Sequence, residues 1–189
     1  MKKILSAILA LCMIVSITAC SSENESSVPE EVKGSENRAM REMTTQELIE
    51  DMGLGINLGN TFESCGNWIN KSSVTNYETA WGSPVITEEM IKGYKDCGFG
   101  VMRLPVAWSN MMDKETYTIN PDYLSRVKEV LNWALDSDLY VILNIHYDNG
   151  WFSDFADDKK RDECFKKYEA IWKQLCEEFG DYGDHLTFE

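Results

Sequence analysis

Polar side chains that could orient a carboxylate or bind a hydroxyl group fall at the ends of three short apolar runs. Asn57 and Asn60 lie in INLGNTF, Arg103 lies in VMRLPV, and His146 follows YVILNI. A fixed guanidinium keeps a neighbouring carboxylate ionised and directs it, as a nucleophile requires. Amide side chains can hydrogen-bond hydroxyl groups, although Asn60 serves equally well as a loop cap. Taken singly, Arg103 also fits a surface ion pair, and His146 also fits a structural role.

Three tryptophans, Trp81, Trp108 and Trp151, lie in or beside the segments that follow these apolar runs. Pyranose rings present C–H faces that stack on aromatic planes, whereas a tryptophan without such a ligand belongs to the core. Both interpretations stay open for each tryptophan, and Trp151 is the best stacking candidate. If the chain binds a sugar, the candidate substrate-binding residues are Trp151, Trp81, Asn57 and Asn60.

Short apolar runs alternate with amphipathic stretches along the chain from about residue 43. The predicted strands are 53–58, 100–104, 140–145 and 185–188. A short helix is predicted to begin at Thr44 or Thr45, and Thr87 is predicted to cap a helix over 86–96. Asn120 followed by Pro121 is typical of a helix start, and apolar spacing predicts a last helix over 160–179.

Strands that are apolar on both faces and separated by helices predict a parallel sheet, and hence the α/β class. A doubly wound sheet and a (β/α)8 barrel both fit this order. No glycine-rich phosphate turn follows the first strand, and the polar and aromatic residues gather where strands end, as in a barrel active site. Both observations favour the N-terminal half of a (β/α)8 barrel, with about three and a half βα units.

Four segments in order carry a family resemblance: INLGNTF with ETAWG in the loop after it, VMRLPV, ILNIHYDNGW and LTFE. Over residues 44 to 189 this succession resembles glycoside hydrolase family 5, the secreted cellulases and related β-glycanases. The sequence is most similar to members that act on cellulose, xyloglucan or mixed-linkage β-glucan. The resemblance implies a (β/α)8 barrel and hydrolysis of β-1,4-glucan linkages by the retaining mechanism.

The resemblance also implies roles for single residues. Arg103 matches the arginine that supports the nucleophilic carboxylate, and His146 matches a histidine that lines the site and holds the sugar in the −1 subsite. The implied partner is a β-glucan polysaccharide. No metal or organic cofactor is implied, because the retaining mechanism needs only two carboxyl groups and water.

The two catalytic carboxylates of the family have no match in these 189 residues. The family's acid/base glutamate follows an asparagine at the end of the fourth strand, and the nucleophile ends the seventh. Glu189 follows Phe188 and resembles a strand glutamate that comes a few residues earlier. We therefore expect a truncated catalytic domain over 43–189 that is inactive and unstable alone. The alternative is a surface lipoprotein that binds glycans without cleaving them.

The first residues resemble an export signal. Lys2 and Lys3 precede a mostly apolar run, and Cys20 follows Ala19 as in a bacterial lipobox. We expect a lipoprotein signal peptide over 1–19, lipidation of Cys20, and a disordered tether over 20–42 that is rich in Ser and Glu. These features predict a bacterial cell-surface lipoprotein or extracellular protein that meets the membrane through its lipid.

Charge and cysteine spacing exclude other classes. The net charge of −14 is opposite to that of a nucleic-acid-binding protein. No CxxC or Cys/His cluster is present, so no zinc site is predicted. Cys164 and Cys176 share one predicted helix, roughly 18 Å apart at a rise of about 1.5 Å per residue, which is beyond disulfide reach.

Overall fold

The computed structural model describes residues 40–189. The predicted signal peptide, Cys20 and the predicted tether up to residue 39 lie outside the described residues. Four strands form one parallel sheet in chain order: β1 (Gly55–Asn57), β2 (Val101–Leu104), β3 (Tyr140–Leu143) and β4 (Leu186–Phe188). The predicted α/β class and the order of all four strands are confirmed, and each strand is shorter than predicted.

Helices connect successive strands. They are α1 (Thr45–Met52) before β1, α2 (Thr75–Glu78) and α3 (Glu88–Asp96) before β2, α4 (Pro121–Asp136) before β3, and α5 (Arg161–Phe179) before β4. Two 3-10 segments, Trp108–Met111 and Asp148–Ala156, follow β2 and β3. The fold thus places a long loop after each of the first three strands and one long helix before each return to the sheet.

The helix starts follow the capping residues of the sequence. Thr44 and Glu47 form a reciprocal capping box at α1, with Thr44 N donating to Glu47 Oε2 at 2.7 Å. The Thr87 hydroxyl accepts from Met90 N at α3. The Asn120 side chain accepts from two backbone N–H groups at the start of α4. Each cap satisfies N–H groups that have no partner inside the helix, so these starts could be predicted.

Aromatic rings fix the loops above the sheet. Phe62, Tyr77 and Trp108 each meet the ring of Tyr123 edge-on, with ring centroids 6.0 to 6.2 Å apart. All four rings are buried, and the Tyr123 hydroxyl donates to the Phe62 carbonyl at 2.7 Å. The segments after β1 and β2 are therefore held against α4 rather than free in solvent.

A polar cluster closes the opposite, amino-terminal end of the sheet. Arg41 Nε donates to Asp184 Oδ2 at 2.6 Å, and Arg41 Nη1 donates to Asp51 at 3.1 Å. Tyr140 joins this cluster by hydrogen bonds with Arg41 and Asp51. His185, the residue before β4, stacks on Tyr140 with centroids 4.2 Å apart.

Within residues 40–189, no helix is long and apolar enough to cross a membrane. The cysteines of this part of the chain, Cys65, Cys97, Cys164 and Cys176, carry free thiols, and the last two lie at the two ends of α5.

Candidate active site

The guanidinium of Arg103 is the centre of a polar cluster at the carboxyl ends of the strands. Its Nε and Nη2 donate to the two carboxylate oxygens of Glu189 at 2.6 and 2.9 Å, and its Nη1 donates to Asn57 Oδ1 at 2.9 Å. Nη2 also lies 3.5 Å from His146 Nδ1. Residues from β1, from β2, and from just after β3 and β4 thus converge on one planar cation.

The strand register explains why these residues meet. Asn57 pairs with Arg103 across β1 and β2. Glu189 N donates to Leu143 O at 2.9 Å, so Glu189 continues the β3–β4 ladder by one residue. In a parallel barrel, side chains from alternate strands share one interior layer. Arg103 on β2 and Glu189 after β4 follow that rule across β3.

The paired hydrogen bonds fix the charges of this cluster. Hydrogen bonds from Arg103 lower the pKa of Glu189, and they outweigh the burial that raises it. Glu189 in turn raises the pKa of Arg103. The Glu189 side chain keeps 52% of its surface exposed and that of Arg103 28%. The site therefore presents an oriented carboxylate and a guanidinium to solvent, with both groups ionised at neutral pH.

The segments that carry Arg103 and His146 are joined beyond the sheet. His146 N donates to Val106 O at 3.0 Å, and Val106 N donates to Asn144 Oδ1 at 3.3 Å. Trp108 Nε1 donates to the Asn144 carbonyl at 2.9 Å. Since Asn144 is 2% exposed, it acts as a buried connector, and the imidazole of His146 is placed by both neighbouring loops.

A buried carboxylate shapes the turn after β1. Glu63, 5% exposed, accepts from Asn60 N at 2.5 Å and from Thr61 N at 2.9 Å. Asn60 is exposed and has a φ of 60°, in the left-handed region that asparagine tolerates. At Gly59 a Cβ would come within 2.8 Å of Asn57 Nδ2, so glycine leaves room for the amide that meets Arg103.

Comparison with a protein-family model identifies the family of the chain that carries this cluster. The model for cellulase (glycosyl hydrolase family 5) matches residues 62–189, which is more than half of the chain. The chain belongs to glycosyl hydrolase family 5.

Relatives in family 5 show the same relationship over longer segments. Endoglucanase A of Ruminococcus albus is 40% identical over 151 residues, which cover 79% of this chain and 40% of that protein. The xyloglucan-specific endo-β-1,4-glucanase of Bacteroides ovatus is 39% identical over 156 residues, 81% of this chain and 30% of that protein. The chain thus spans less than half the length of each of these relatives.

Solved structures of family 5 confirm the fold. A GH5-4 broad specificity endoglucanase from Ruminococcus champanellensis with bound cellotriose superimposes with a TM-score of 0.73 at 36% identity. The match covers 80% of this chain and 44% of that one. The four parallel strands of residues 40–189 are therefore the first part of a (β/α)8 barrel, and the predicted family and fold are confirmed.

The tryptophans of this family 5 chain differ in what they offer a sugar ring. Trp108 is fully buried and belongs to the core. Trp81 is 41% exposed, and Trp68, which the sequence analysis did not select, is 64% exposed. Both lie in the long segment between β1 and α3. The prediction that Trp81 binds substrate stays a prediction, and Trp68 is a second exposed platform.

Trp151 is held rather than free. Its Nε1 donates to Asp148 Oδ2 at 2.7 Å, and Phe152 stacks on its ring at a centroid distance of 4.1 Å. The Lys167 ammonium lies 4.4 Å from the ring centroid. Phe152 and Lys167 thus both pack against the ring of Trp151, which keeps part of its surface exposed. The prediction that a sugar stacks on Trp151 stays a prediction.

Asp148 is a further residue of the site that sequence reasoning missed. It has no exposed surface, and it accepts from Ser109 N, from the Ser109 hydroxyl and from Trp151 Nε1. Burial raises its pKa, against the hydrogen bonds from Ser109 and Trp151. Asp148 begins three consecutive residues with positive φ, which continue with Asn149 and Gly150. It therefore ties the loop after β3 to the loop after β2.

No group of three or more His, Cys, Asp or Glu among residues 40–189 is placed to hold a metal ion.

Proposed function

We propose that the complete protein, of which residues 44–189 form the first part of the barrel, hydrolyses β-1,4-glucan linkages with retention of configuration. The observation that carries the proposal is the Arg103 cluster, in which Glu189, Asn57 and His146 are held at the strand ends. The names of the relatives, endoglucanases and a xyloglucan-specific endo-β-1,4-glucanase, support β-1,4-glucan as the substrate class.

Arg103 has the donors that the retaining mechanism asks of it. Three of its five N–H groups donate to Glu189 and Asn57. The other N–H groups of Arg103 are available to the nucleophilic carboxylate, which this arginine supports according to the family resemblance. That mechanism needs a second carboxyl group as acid/base, about 5–5.5 Å from the nucleophile. The proposal places both groups in the rest of the barrel, and residues 44–189 supply the framework that orients the nucleophile and the sugar.

His146 and the asparagines contribute to sugar binding in this proposal. The imidazole of His146 is half-buried and borders Arg103, so a sugar bound over the strand ends contacts both. Asn60 is exposed at the neighbouring turn, where its amide can bond a hydroxyl group. A cellotriose-bound family 5 structure of the same fold supports binding of a glucan chain, and (β/α)8 enzymes bind their substrates at this end of the barrel.

The test uses protein made from the complete reading frame of the gene. Release of reducing ends from mixed-linkage β-glucan and from soluble cellulose derivatives is measured beside affinity electrophoresis in the same polysaccharides. Hydrolysis supports the proposal. Retarded migration without any release of reducing ends contradicts it and favours the alternative, a glycan-binding surface lipoprotein without catalysis.

The export assignment is also a proposal, and it rests on the sequence alone. We propose that Cys20 is lipidated after removal of residues 1–19 and anchors the domain at the bacterial surface. Metabolic labelling with an alkyne fatty acid should mark the wild-type protein and leave Cys20→Ala unmarked. Equal labelling of both proteins would place the lipid elsewhere, and no labelling of either would rule out an anchor.

A further inference from the structure

A cavity of about 470 Å3 is lined by residues of the loops at the strand-end side of the sheet, the side that also carries the Arg103 cluster. It opens between the segments after β1, β2 and β3 and the first turns of α5. None of Arg103, Asn57, His146 and Glu189 lines it. Its volume lies within the range of small-molecule pockets, roughly 300–1,000 Å3. Its lining shares Trp151 with the predicted substrate-binding residues and no residue with the Arg103 cluster, so it is distinct from that cluster.

The charge of this cavity differs from that of the chain. Four lysines and three acids line it, whereas the whole chain has 18 basic and 32 acidic residues. The acids have local partners. Asp154 pairs with Lys160 at 2.9 Å, Glu163 pairs with Lys166 at 3.2 Å, and Asp113 accepts from backbone N–H groups of its own loop.

The other three lysines of the lining, Lys71, Lys114 and Lys167, have no carboxylate partner within 4.0 Å among residues 40–189. Lys71 and Lys114 are exposed at the rim, on the segments after β1 and β2. Lys167 is half-buried on α5, with its ammonium over Trp151. Three lysines that form no ion pair within 4.0 Å thus line one cavity of a strongly acidic protein, and Lys167 among them is influenced by the charge of Asp148.

Among these lysines, Lys167 has the ammonium group that a bound anion would stabilise most. Burial lowers its pKa, and the nearby charge of Asp148 opposes that effect only in part. A partly desolvated ammonium is stabilised when an anion with good geometry binds beside it. The amides of Asn67 and Asn149 also line the cavity, and amides suit the hydroxyl groups of a sugar.

We propose that this cavity binds a hexuronic acid residue, with its carboxylate at Lys167 and the rim lysines and its hydroxyl groups at the asparagine amides. The inference deepens the proposed function, on which it rests, because it assigns acid-substituted β-glycans to the substrates of the neighbouring site. The carboxylate can arrive as a side group of a polysaccharide or as a free sugar acid, and both carry the same chemistry.

Binding is measured by titration calorimetry on protein made from the complete reading frame. D-glucuronate is compared with D-glucose and with acetate, and a glucuronate-substituted oligosaccharide distinguishes the polysaccharide source from the free acid. We expect glucuronate to bind, glucose and acetate to bind at least about tenfold more weakly, and salt to weaken the interaction. Equal binding of glucose or of acetate would overturn the proposal.

Substitutions test whether glucuronate binds at Lys167. Lys167→Met removes the charge and keeps the length of the chain, and Lys173→Met is the matched control on the same helix. We expect Lys167→Met to weaken glucuronate binding by about tenfold, the loss of one charge-assisted hydrogen bond, and Lys173→Met to leave it unchanged. An unchanged affinity in folded Lys167→Met would contradict the assignment.

A second variant and a binding readout that does not depend on hydrolysis separate the possible outcomes. If Lys167→Met does not fold, the double variant Lys71→Met/Lys114→Met at the rim tests the same charge, with the same expected weakening and the same contradicting result. Because binding is measured without hydrolysis, a protein that cleaves β-glucan but does not bind glucuronate refutes only this inference, and a protein that binds glucuronate but cleaves no glucan refutes only the proposed function.

Discussion

At the scale of single residues, the guanidinium of Arg103 connects the ends of the strands. Arg103 meets Glu189 through two parallel hydrogen bonds and Asn57 through a third. Such a planar fork fixes both the position and the direction of a carboxylate, which a lysine ammonium on a flexible stem does not. The local arrangement therefore depends on the shape of this side chain as well as on its charge.

We expect Arg103→Lys in the complete protein to lower kcat on β-glucan on the order of 100-fold, as for loss of one preorganised donor. The free energy of unfolding should change little, because Arg103 is partly exposed. Steady-state kinetics and urea unfolding check both expectations. The matched control is Arg161→Lys on the exposed surface of α5, which should leave kcat unaltered. A wild-type kcat in Arg103→Lys would remove Arg103 from the mechanism.

Asp148 supports the site without facing the strand ends. Because it ties Ser109 and Trp151 together and lies two residues after His146, we expect Asp148→Asn to displace the imidazole. Misplacement of a catalytic group by about 1 Å can cost roughly 100-fold in rate, so kcat should fall by about 10- to 100-fold with a smaller change in KM. Asp158→Asn, at an exposed position of the same segment, is the control. Equal losses in both variants would argue against a positioning role.

The sequence predicted part of this site and not the rest. Arg103, Asn57 and His146 come together because carboxyl ends of parallel strands share one edge of the sheet, and chain order alone indicates that edge. Glu63 and Asp148 were not predicted. Their partners are backbone N–H groups and side chains of irregular loops, and such loops leave no periodic pattern in the sequence. For Trp151, only the structure shows that Phe152 and Lys167 pack against its ring.

At the scale of elements, one buried ion pair fastens the segment between β1 and α3 to α4. Glu78 in α2 has no exposed surface, and Arg126 Nε and Nη2 donate to its two oxygens at 2.9 and 3.0 Å. Glu78 also accepts from Ile86 N, and Arg126 donates to Ile86 O. The four-residue α2 is thus held by its side chain rather than by its length.

We expect Glu78→Ala to lower the free energy of unfolding of the complete protein by about 3–5 kcal/mol, because it leaves Arg126 without its buried partner. Glu129→Ala is the matched control, since Glu129 pairs with the same arginine from a more exposed position. That change should cost less than about 1 kcal/mol. Urea unfolding measures both variants, and similar costs would contradict a special role for the buried pair.

The Arg41 cluster joins the segment before α1 to the amino-terminal end of the sheet. Hydrogen bonds from Tyr140 and Arg41 lower the pKa of Asp51. Burial raises the pKa of Asp184, but hydrogen bonds from Arg41 and His185 outweigh it and leave the pKa lowered. Carboxylates with lowered pKa values stabilise the fold above their unfolded pKa, about 3.9, and this contribution is lost as pH falls through the folded value.

We expect Arg41→Ala to lower the free energy of unfolding at pH 7 and to lower it less as pH falls below about 4, because the contribution of the two carboxylates is lost between their unfolded pKa and their lower folded pKa. Urea unfolding at pH 7, 5 and 3.5 measures the difference from wild type. Arg161→Ala, which breaks an exposed pair with Asp158, should show little effect at any pH. A difference for Arg41→Ala that does not depend on pH would exclude this coupling.

Element starts were predictable where a side chain caps them, as at Thr44, Thr87 and Asn120. Helix α2 and the 3-10 segment after β3 were not. Helix α2 has no side-chain cap hydrogen bond, and the segment after β3 contains the left-handed residues Asn149 and Gly150. Both are set by tertiary contacts, which a periodic pattern does not encode.

At the scale of the whole molecule, the sheet of residues 40–189 has β1 and β4 at its edges. Large side chains near the β4 side remain exposed, among them Phe165 at 56%, Tyr168 at 39% and Phe188 at 43%. Unpaired strand edges and exposed aromatic surface favour association with other chains. The net charge of −14 opposes that association only at low ionic strength.

We expect the 189-residue polypeptide, made by itself, to bind a hydrophobic dye such as ANS and to form oligomers or aggregates as salt is raised. Light scattering after size exclusion and dye fluorescence measure this, with the protein from the complete reading frame as the comparison. Tyr168→Glu on the exposed face of α5 should reduce the association. A monomeric polypeptide that binds no dye and unfolds cooperatively would contradict the expectation.

The retaining hydrolysis of β-1,4-glucan is tested most directly by the anomer that forms first. Proton NMR follows cellopentaose, whose internal linkages are β, during the first minutes of reaction with the complete protein. The proposed mechanism requires the β-anomer of the new reducing end to form first and the α-anomer to grow later by mutarotation. First formation of the α-anomer, or no cleavage by a folded protein that binds the oligosaccharide, would contradict the account.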